Sequence, residues 1–346
     1  MKLKIIIAPA ILLSTFLLIS PKVGANSKID GPNITMRVNE TTKKENQIKI
    51  DSIMDQKEKL KMLNSLPIDD IASWSDFNAS EYGIVTPVIT QGQKNTCWAH
   101  SIAAASETSI LKEGLHDTDT YFRVGADNIA YQGFNRISKN DPLGNASADV
   151  YESYYDRGNQ ISKGVERLTS WNGIHLVDSD FLYSDEGFYT PDYLLEESIT
   201  INSRDILDIK RAISEYGGVT MFYNYNPYQD NFFNPIPNTN ETHAVEIIGW
   251  DDNIDPNLFG VGPTPKRPGG WLCKNSWGST YGTNGLFYLS YDALLNDVIA
   301  LDYMKYDSKL LNYYYDGFTE DNAYTLDKGA VIFEAKGEDD YNDEYL

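Results

Sequence analysis

Residues 91–112 read QGQKNTCWAHSIAAASETSILK, a polar turn that runs directly into an apolar helix. The turn is Gln91-Gly92-Gln93, where glycine lets the backbone bend tightly. Trp98 to Lys112 reads as a helix with Gly114 as its stop. Its triplet Ala103-Ala104-Ala105 suits a helix packed closely inside a core. Cys97 then stands at the N-terminus of that helix. Unpaired N–H groups and the positive end of the helix dipole stabilise a thiolate there, and the thiolate is the nucleophilic form of cysteine. Taken alone, a cysteine is more often a small buried core residue.

A nucleophile of this kind needs a base, a group that orients the base, and donors for the oxyanion. Four histidines bound the choice: His100, His116, His175 and His243. His243 precedes the apolar run Ala244-Val245-Glu246-Ile247-Ile248, which places it at the edge of a strand. Asn275 ends the short strand-like run Trp271 to Lys274, and its amide oxygen can accept an imidazole N–H. Trp277 can cover that hydrogen bond and exclude water, and it is also a candidate substrate-binding residue. Gln91, six residues before Cys97, can offer its amide beside the Cys97 N–H as an oxyanion donor. His100, three positions on from Cys97, is the rival base and is expected to fill the core or a polar niche. His116 and His175 lie in polar or turn-like stretches and are expected at the surface. Cys273 shares a strand face with Asn275 and is expected to be a buried free thiol rather than a partner of Cys97.

Working outward, helices crowd the first half of the chain and strands the second. Ile50, Ile53, Met54, Leu60 and Leu63 lie near one helical face, which Asn64, Ser65 and Pro67 end. Thr86 to Ile89 reads as extended. Asp205 to Tyr216 is an amphipathic helix closed by Gly217-Gly218. Val219–Tyr223, Ala244–Trp250, Trp271–Lys274 and Leu286–Ser290 read as strands. The pattern predicts an α+β protein with two unlike subdomains. Asp251-Asp252-Asn253 with Asp255 faintly resembles a calcium loop, but it lacks the glycine and final glutamate, so a solvated loop is expected.

Composition excludes several classes. The chain has 346 residues and a formal charge of −21, which disfavours nucleic acid and anionic membranes as partners. Two cysteines and four histidines leave little material for a disulfide framework or a zinc site, and no metal or organic cofactor is implied. Residues 1–25 read as a secretory signal peptide: Lys2 and Lys4, an apolar run from Ile5 to Ser20, then Val23-Gly24-Ala25. Cutting after Ala25 removes three lysines, Lys2, Lys4 and Lys22, and deepens the charge from −21 to −24. Residues 26–72 form a candidate pro-segment or N-terminal arm, expected to cover a cleft until cut between about Leu66 and Ser75. Residues 73–300 form the catalytic domain. Residues 301–346 form an acidic, Tyr-rich tail.

Gln91-Gly92, Cys97-Trp98-Ala99, Thr242-His243-Ala244-Val245, Gly249-Trp250 and Lys274-Asn275-Ser276-Trp277-Gly278, in this order, resemble the papain family of cysteine peptidases. The likeness spans roughly residues 74–292 and continues through Tyr281-Gly282-Thr283-Asn284-Gly285-Leu286-Phe287. It implies the papain-like two-subdomain fold, a helical half and a β-sheet half with the active-site cleft between them. It also implies Cys97 as nucleophile, His243 as base, Asn275 as orienter and Gln91 as oxyanion donor in a secreted cysteine endopeptidase acting on proteins or peptides. Arg157-Gly158-Asn159 resembles the family's glycine-rich substrate edge, with Arg157 in place of its first glycine. Lys94 stands where the family carries a disulfide cysteine, His100 replaces an aromatic residue, and Asp251 to Gly269 is an insertion.

Tyr313 to Gly337 resembles the opening of a lectin-like β domain found after the peptidase unit in some bacterial relatives. That likeness implies a cell-surface or glycan contact through the tail, and a chain that is cut short or a domain that is vestigial; the reading as a secreted peptidase carries the expectation of a Gram-positive source. Two other functions fit parts of the pattern. One is acyl transfer by a ligase or transglutaminase-like enzyme, with Asp251 or Asp252 as the third group. The other is a catalytically idle binding protein on the same scaffold.

Overall fold

A computed structural model describes residues 55–307, apart from 119, 135–153, 170–172, 178–190, 226–230, 236–241 and 261. The expected signal peptide, the Ile50–Met54 part of the first helix and the tail beyond Asp307 lie outside the described residues.

Helix α1, Gln56–Leu63, starts where the Asp55 side chain accepts the Glu58 N–H at 2.9 Å and ends at Asn64. Helix α2, Ile68–Ala72, follows Pro67, whose fixed φ suits a helix start. Helix α3, Cys97–Lys112, runs through the centre of the molecule. Fourteen of its 16 residues are buried, so it has no solvent face and no amphipathic stripe. Two of its buried hydroxyls find local or cross-layer partners: Ser101 Oγ donates to Val245 O at 2.7 Å, and Ser106 Oγ donates to Ile102 O at 2.7 Å. Helices α4, Ala126–Gln132, and α5, Ile161–Arg167, pack on one side of α3. Helix α6, Ile206–Tyr216, is capped by Asp205, which accepts from Leu207 N at 2.9 Å, and is closed by Gly217 at φ +83°.

The strands are β1 (Asp76–Asn78), β2 (Tyr193–Thr200), β3 (Val219–Asn224), β4 (Phe232–Phe233), β5 (Thr242–Asp251), β6 (Gly270–Lys274), β7 (Leu286–Ser290) and β8 (Leu295–Lys305). They form one sheet in the order β2-β8-β3-β5-β6-β7-β4, antiparallel except for β4 with β7. Strand β3 pairs with residues 242–247 of β5, and β1 takes over beside 249–251. That handover explains Gly249: a Cβ there would run into the Phe77 carbonyl. Helix α3 lies between the sheet and α4–α5, giving an α+β fold with a helical half and a sheet half.

Three expectations need correction. The division at 300/301 cuts β8, which pairs with β2 as far as Lys305 and buries Tyr303, whose hydroxyl meets Ser106 Oγ at 2.6 Å. An acidic tail seemed to begin at Asp302 because that residue takes the outer position of an alternating strand. The described part of the arm does not cover a cleft. Leu63 and Ile71 are fully buried in the core, and Asn64 exchanges two hydrogen bonds with Lys112 at the far end of α3 from Cys97. His175 is not at the surface: it is 6% exposed, and burial takes its pKa down to about 4. His116 is half-buried, stacked on Phe122 at 4.3 Å with Nδ1 3.0 Å from the Tyr193 hydroxyl.

Candidate active site

Cys97 begins α3, and Thr96 before it makes no side-chain cap, so the first-turn N–H groups stay open. The backbone at Ala244, Trp98 and Cys97 favours the thiolate, while burial outweighs it and pushes the thiol pKa up. Ala244 is the residue that follows His243 on β5.

His243 is 4% exposed. Its Nε2 lies 2.8 Å from Asn275 Oδ1, and Ser276 N donates to the same oxygen at 2.7 Å. That second bond fixes the amide so that oxygen faces the ring, which puts the imidazole proton on Nε2 and leaves Nδ1 to accept a proton. Burial lowers the His243 pKa to about 4, against the Asn275 bond, which raises it. Thiol and imidazole are each held neutral by burial, and a proton passed from sulfur to Nδ1 creates both charges together. Trp277 stacks on the His243 ring at 4.3 Å and 21°, covering the Asn275 bond. Tyr225 meets both rings, 5.9 Å from His243 and 5.4 Å from Trp277.

Gln91 is held by its neighbours. Its backbone N–H donates to Ser276 O at 2.8 Å, its Oε1 accepts from Ser276 Oγ at 2.6 Å, and its Nε2 donates to Lys94 O at 2.7 Å. One amide hydrogen remains for a developing oxyanion. Ser276 therefore links Asn275 to Gln91, a connection its motif position alone does not reveal. Tyr225 carries no local sequence signal; it reaches the site only because β3 pairs with β5.

Arg157 and Gly158 lie in an exposed loop that follows Asp156. Asn95 ties this loop to the nucleophile turn: its N–H donates to Tyr155 O at 2.7 Å and its Nδ2 to Asp156 O at 2.8 Å. A Cβ on Gly158 would meet nothing within 4 Å, so packing does not demand glycine there. Lys94 binds both oxygens of Asp127 on α4, at 2.8 and 2.7 Å, and that exposed ion pair stands in for a cross-link to the turn. His100 is 8% exposed and commits Nδ1 to Thr96 O at 2.9 Å, one turn back on its own helix. Asp252 is engaged by Lys210 at 2.7 Å and Tyr291 at 2.7 Å, at the end of β5 remote from His243. Both cysteines are free, and Cys273 is fully buried.

A sequence profile described as papain family cysteine protease matches residues 190–300, which hold His243, Asn275 and Trp277. Cathepsin K of Gallus gallus is 26% identical over 218 residues, covering 60% of this chain and 56% of that protein. Cysteine proteinase COT44 of Brassica napus is 23% identical over 242 residues, covering 65% and 62%. The chain is papain-like. The match spans little more than half the length of these relatives. Two solved structures share the papain-like fold. The clostridial cysteine protease Cwp84 after propeptide cleavage superposes with a TM-score of 0.52 at 22% identity, over 67% of this chain and 59% of that one. The cysteine protease and lectin-like domains of Cwp84, a surface layer associated protein of Clostridium difficile, superpose with 0.53 at 23% identity, over 68% and 53%. Among the described residues, no helix is long and apolar enough to cross a membrane.

Proposed function

We propose that this chain is a cysteine endopeptidase that hydrolyses peptide bonds through a thioacyl-enzyme on Cys97. The observation that carries the reading is the His243 Nε2–Asn275 Oδ1 bond of 2.8 Å beneath Trp277, with Cys97 at the start of α3 and Ala244, beside His243, favouring its thiolate. The Cys97 proton moves to His243 Nδ1, and the sulfur attacks the peptide carbonyl carbon. The oxyanion rests on Gln91 Nε2 and the Cys97 N–H. As the C–N bond breaks, His243 returns its proton to the leaving amine. Water then gives a proton to His243 and its oxygen to the acyl carbon, releasing the acid and restoring the thiol.

The substrate edge in this reading is Gly158, where a peptide backbone can approach, with Arg157 beside it for an acidic side chain near the scissile bond. Secretion from a Gram-positive bacterium rests on the leader-like residues 1–25 and on the surface-associated Cwp84 as a fold relative. A glycan or cell-surface contact through the tail rests on its likeness to a lectin-like opening.

Peptide-library profiling of the secreted protein, with and without reductant, tests the activity. Cleavage that reductant preserves and an added amine leaves as free acid supports hydrolysis. Products capped by the amine would favour an acyl transferase instead. Against that rival, Asp251 lies eight residues along β5 from His243, roughly 26 Å at strand spacing. No thiol-dependent turnover on any library would leave the idle binding scaffold.

A further inference from the structure

Behind the cleft lies a buried charge cluster that the chemistry above does not use. Lys274 is 4% exposed, Glu107 1% and Glu246 0%. Lys274 Nζ donates to Thr86 Oγ1 at 2.9 Å and stands 3.6 Å from Glu107 Oε2 and 3.8 Å from Glu246 Oε2. Each contact reaches a different segment that carries a site residue. Thr86 lies on the stretch leading to Gln91, Glu107 on α3 with Cys97, and Glu246 on β5 with His243. Lys274 itself immediately precedes Asn275. Arg123 closes the far side, 3.6 Å from Glu107 and donating to Pro87 O at 2.7 Å.

Glu246 is the anomaly in this cluster. Glu107 accepts the Val124 N–H at 2.8 Å and contacts Thr86, whereas Glu246 has no backbone donor and only the Thr108 hydroxyl beside it. That hydroxyl also donates to Ala104 O at 3.2 Å, and its contact with the carboxylate works against the effect of burial. On β3, Gly218 and Thr220 face it, and a Cβ at Gly218 would strike its carboxylate. The charged or titratable groups around it are Lys274 and Cys273 on β6 and Glu107 on α3. A fully buried carboxylate with so few donors is costly, and an apolar residue would fill the position without that cost.

We propose that Glu246 is a positioning residue: by competing with Glu107 for Lys274, it sets the placement and electrostatics of the four segments that converge on the Cys97–His243 pair. The proposal rests on the peptidase reading only for its kinetic consequence. Burial raises the Glu246 pKa to about 7, against the pull of Lys274, so its charge changes in the range where such a pair works. Ionised Glu246, three residues and about 10 Å from His243 along β5, favours the imidazolium. Without that charge, the alkaline limb of the thiolate–imidazolium pair moves to lower pH.

The test follows alkylation of Cys97 by iodoacetamide between about pH 4 and 9 in the full chain, with Cys97→Ala correcting for Cys273. Wild type is expected to show an inflection near neutral pH in addition to that of the thiol–imidazole pair. Glu246→Gln, and Glu246→Met as a packing control, are expected to lose that inflection and to shift the alkaline limb down by about one pH unit or less. The kcat/KM profile for a peptide should shift with it. A purely structural glutamate would change stability and leave the profile shape alone. A wild-type profile with a single inflection, or one that both variants reproduce, overturns the proposal. Normal alkylation behaviour without peptide turnover would instead overturn the peptidase reading and leave this one standing.

Discussion

The two ends of α3 are built in opposite ways. At Cys97 the helix starts without a side-chain cap, and nearby backbone groups favour a charge on the sulfur. At Lys112, about 22 Å away at helical rise, the end is closed. Asn64 Nδ2 donates to the Lys112 carbonyl at 2.9 Å, Lys112 Nζ returns a bond to Asn64 Oδ1 at 2.7 Å, and Leu63 is fully buried close by. A helix end whose polar groups are satisfied stabilises the fold, and one left open can stabilise a charge that forms during a reaction. Substitutions at the two ends should therefore fail differently, one in turnover and the other in stability.

The largest effect is expected at the open end. Cys97→Ala should abolish peptide turnover, and His243→Ala should cost nearly as much, on the order of 10,000-fold or more in kcat, since groups acting as a unit are not additive. Both variants should melt close to wild type. A larger loss from His100→Ala than from His243→Ala would reassign the base. Next come Asn275→Ala and Gln91→Ala. Gln91→Ala should slow kcat by about 100- to 1000-fold, the usual cost of one oxyanion donor, with KM little changed.

At the closed end, Leu63→Ala should destabilise by about 2–5 kcal/mol in urea unfolding and leave the active-site thiol titration unchanged. Deleting residues up to 72 should be worse, because it also removes Ile71 and the Asp69–Arg211 pair at 2.7 Å. If secreted, active protein begins near Ser75, these residues are not part of the working fold and the contrast fails.

His175 offers a smaller test through pH. Its folded pKa of about 4 lies below the free value of 6.5, so the folded chain binds fewer protons between those limits. The stability it contributes is present above about pH 6.5 and is lost as pH falls towards 4. His175→Gln should flatten the decline in melting temperature across that window, and an unchanged slope would remove His175 from the account. The smallest effect concerns selection. Wild type should prefer a Glu over a Gln peptide by roughly two- to tenfold at low salt, a preference that Arg157→Gly loses. Equal Glu/Gln ratios in both proteins would leave Arg157 without a role in binding.

The site was more legible in the sequence than the fold around it. Cys97, His243, Asn275 and Gln91 each sit at an element boundary marked by a turn, a glycine or a switch in periodicity, and such boundaries can be read locally. Strand β8 could not be read that way: Asp297 at φ +48° and the unbroken buried run 298–301 interrupt its alternation, and only pairing with β2 and β3 makes it a strand. The short helices α4 and α5 give few turns for a period to show. His175 has polar neighbours in sequence and is buried by long-range packing. The ties that hold the site, Ser276 to Gln91, Asn95 to the Arg157 loop and Lys274 to Glu246, join residues far apart in the chain, and no local pattern announces them.

The most direct measurement is intact-mass analysis of acid-quenched protein during turnover of an activated ester of a favoured peptide. A thioacyl-enzyme predicts a mass gain of one acyl group, mapped to Cys97, released by hydroxylamine, and absent in Cys97→Ala, which should also turn over no peptide. Peptide turnover by Cys97→Ala, or an acyl group found on any residue other than Cys97, would contradict the account.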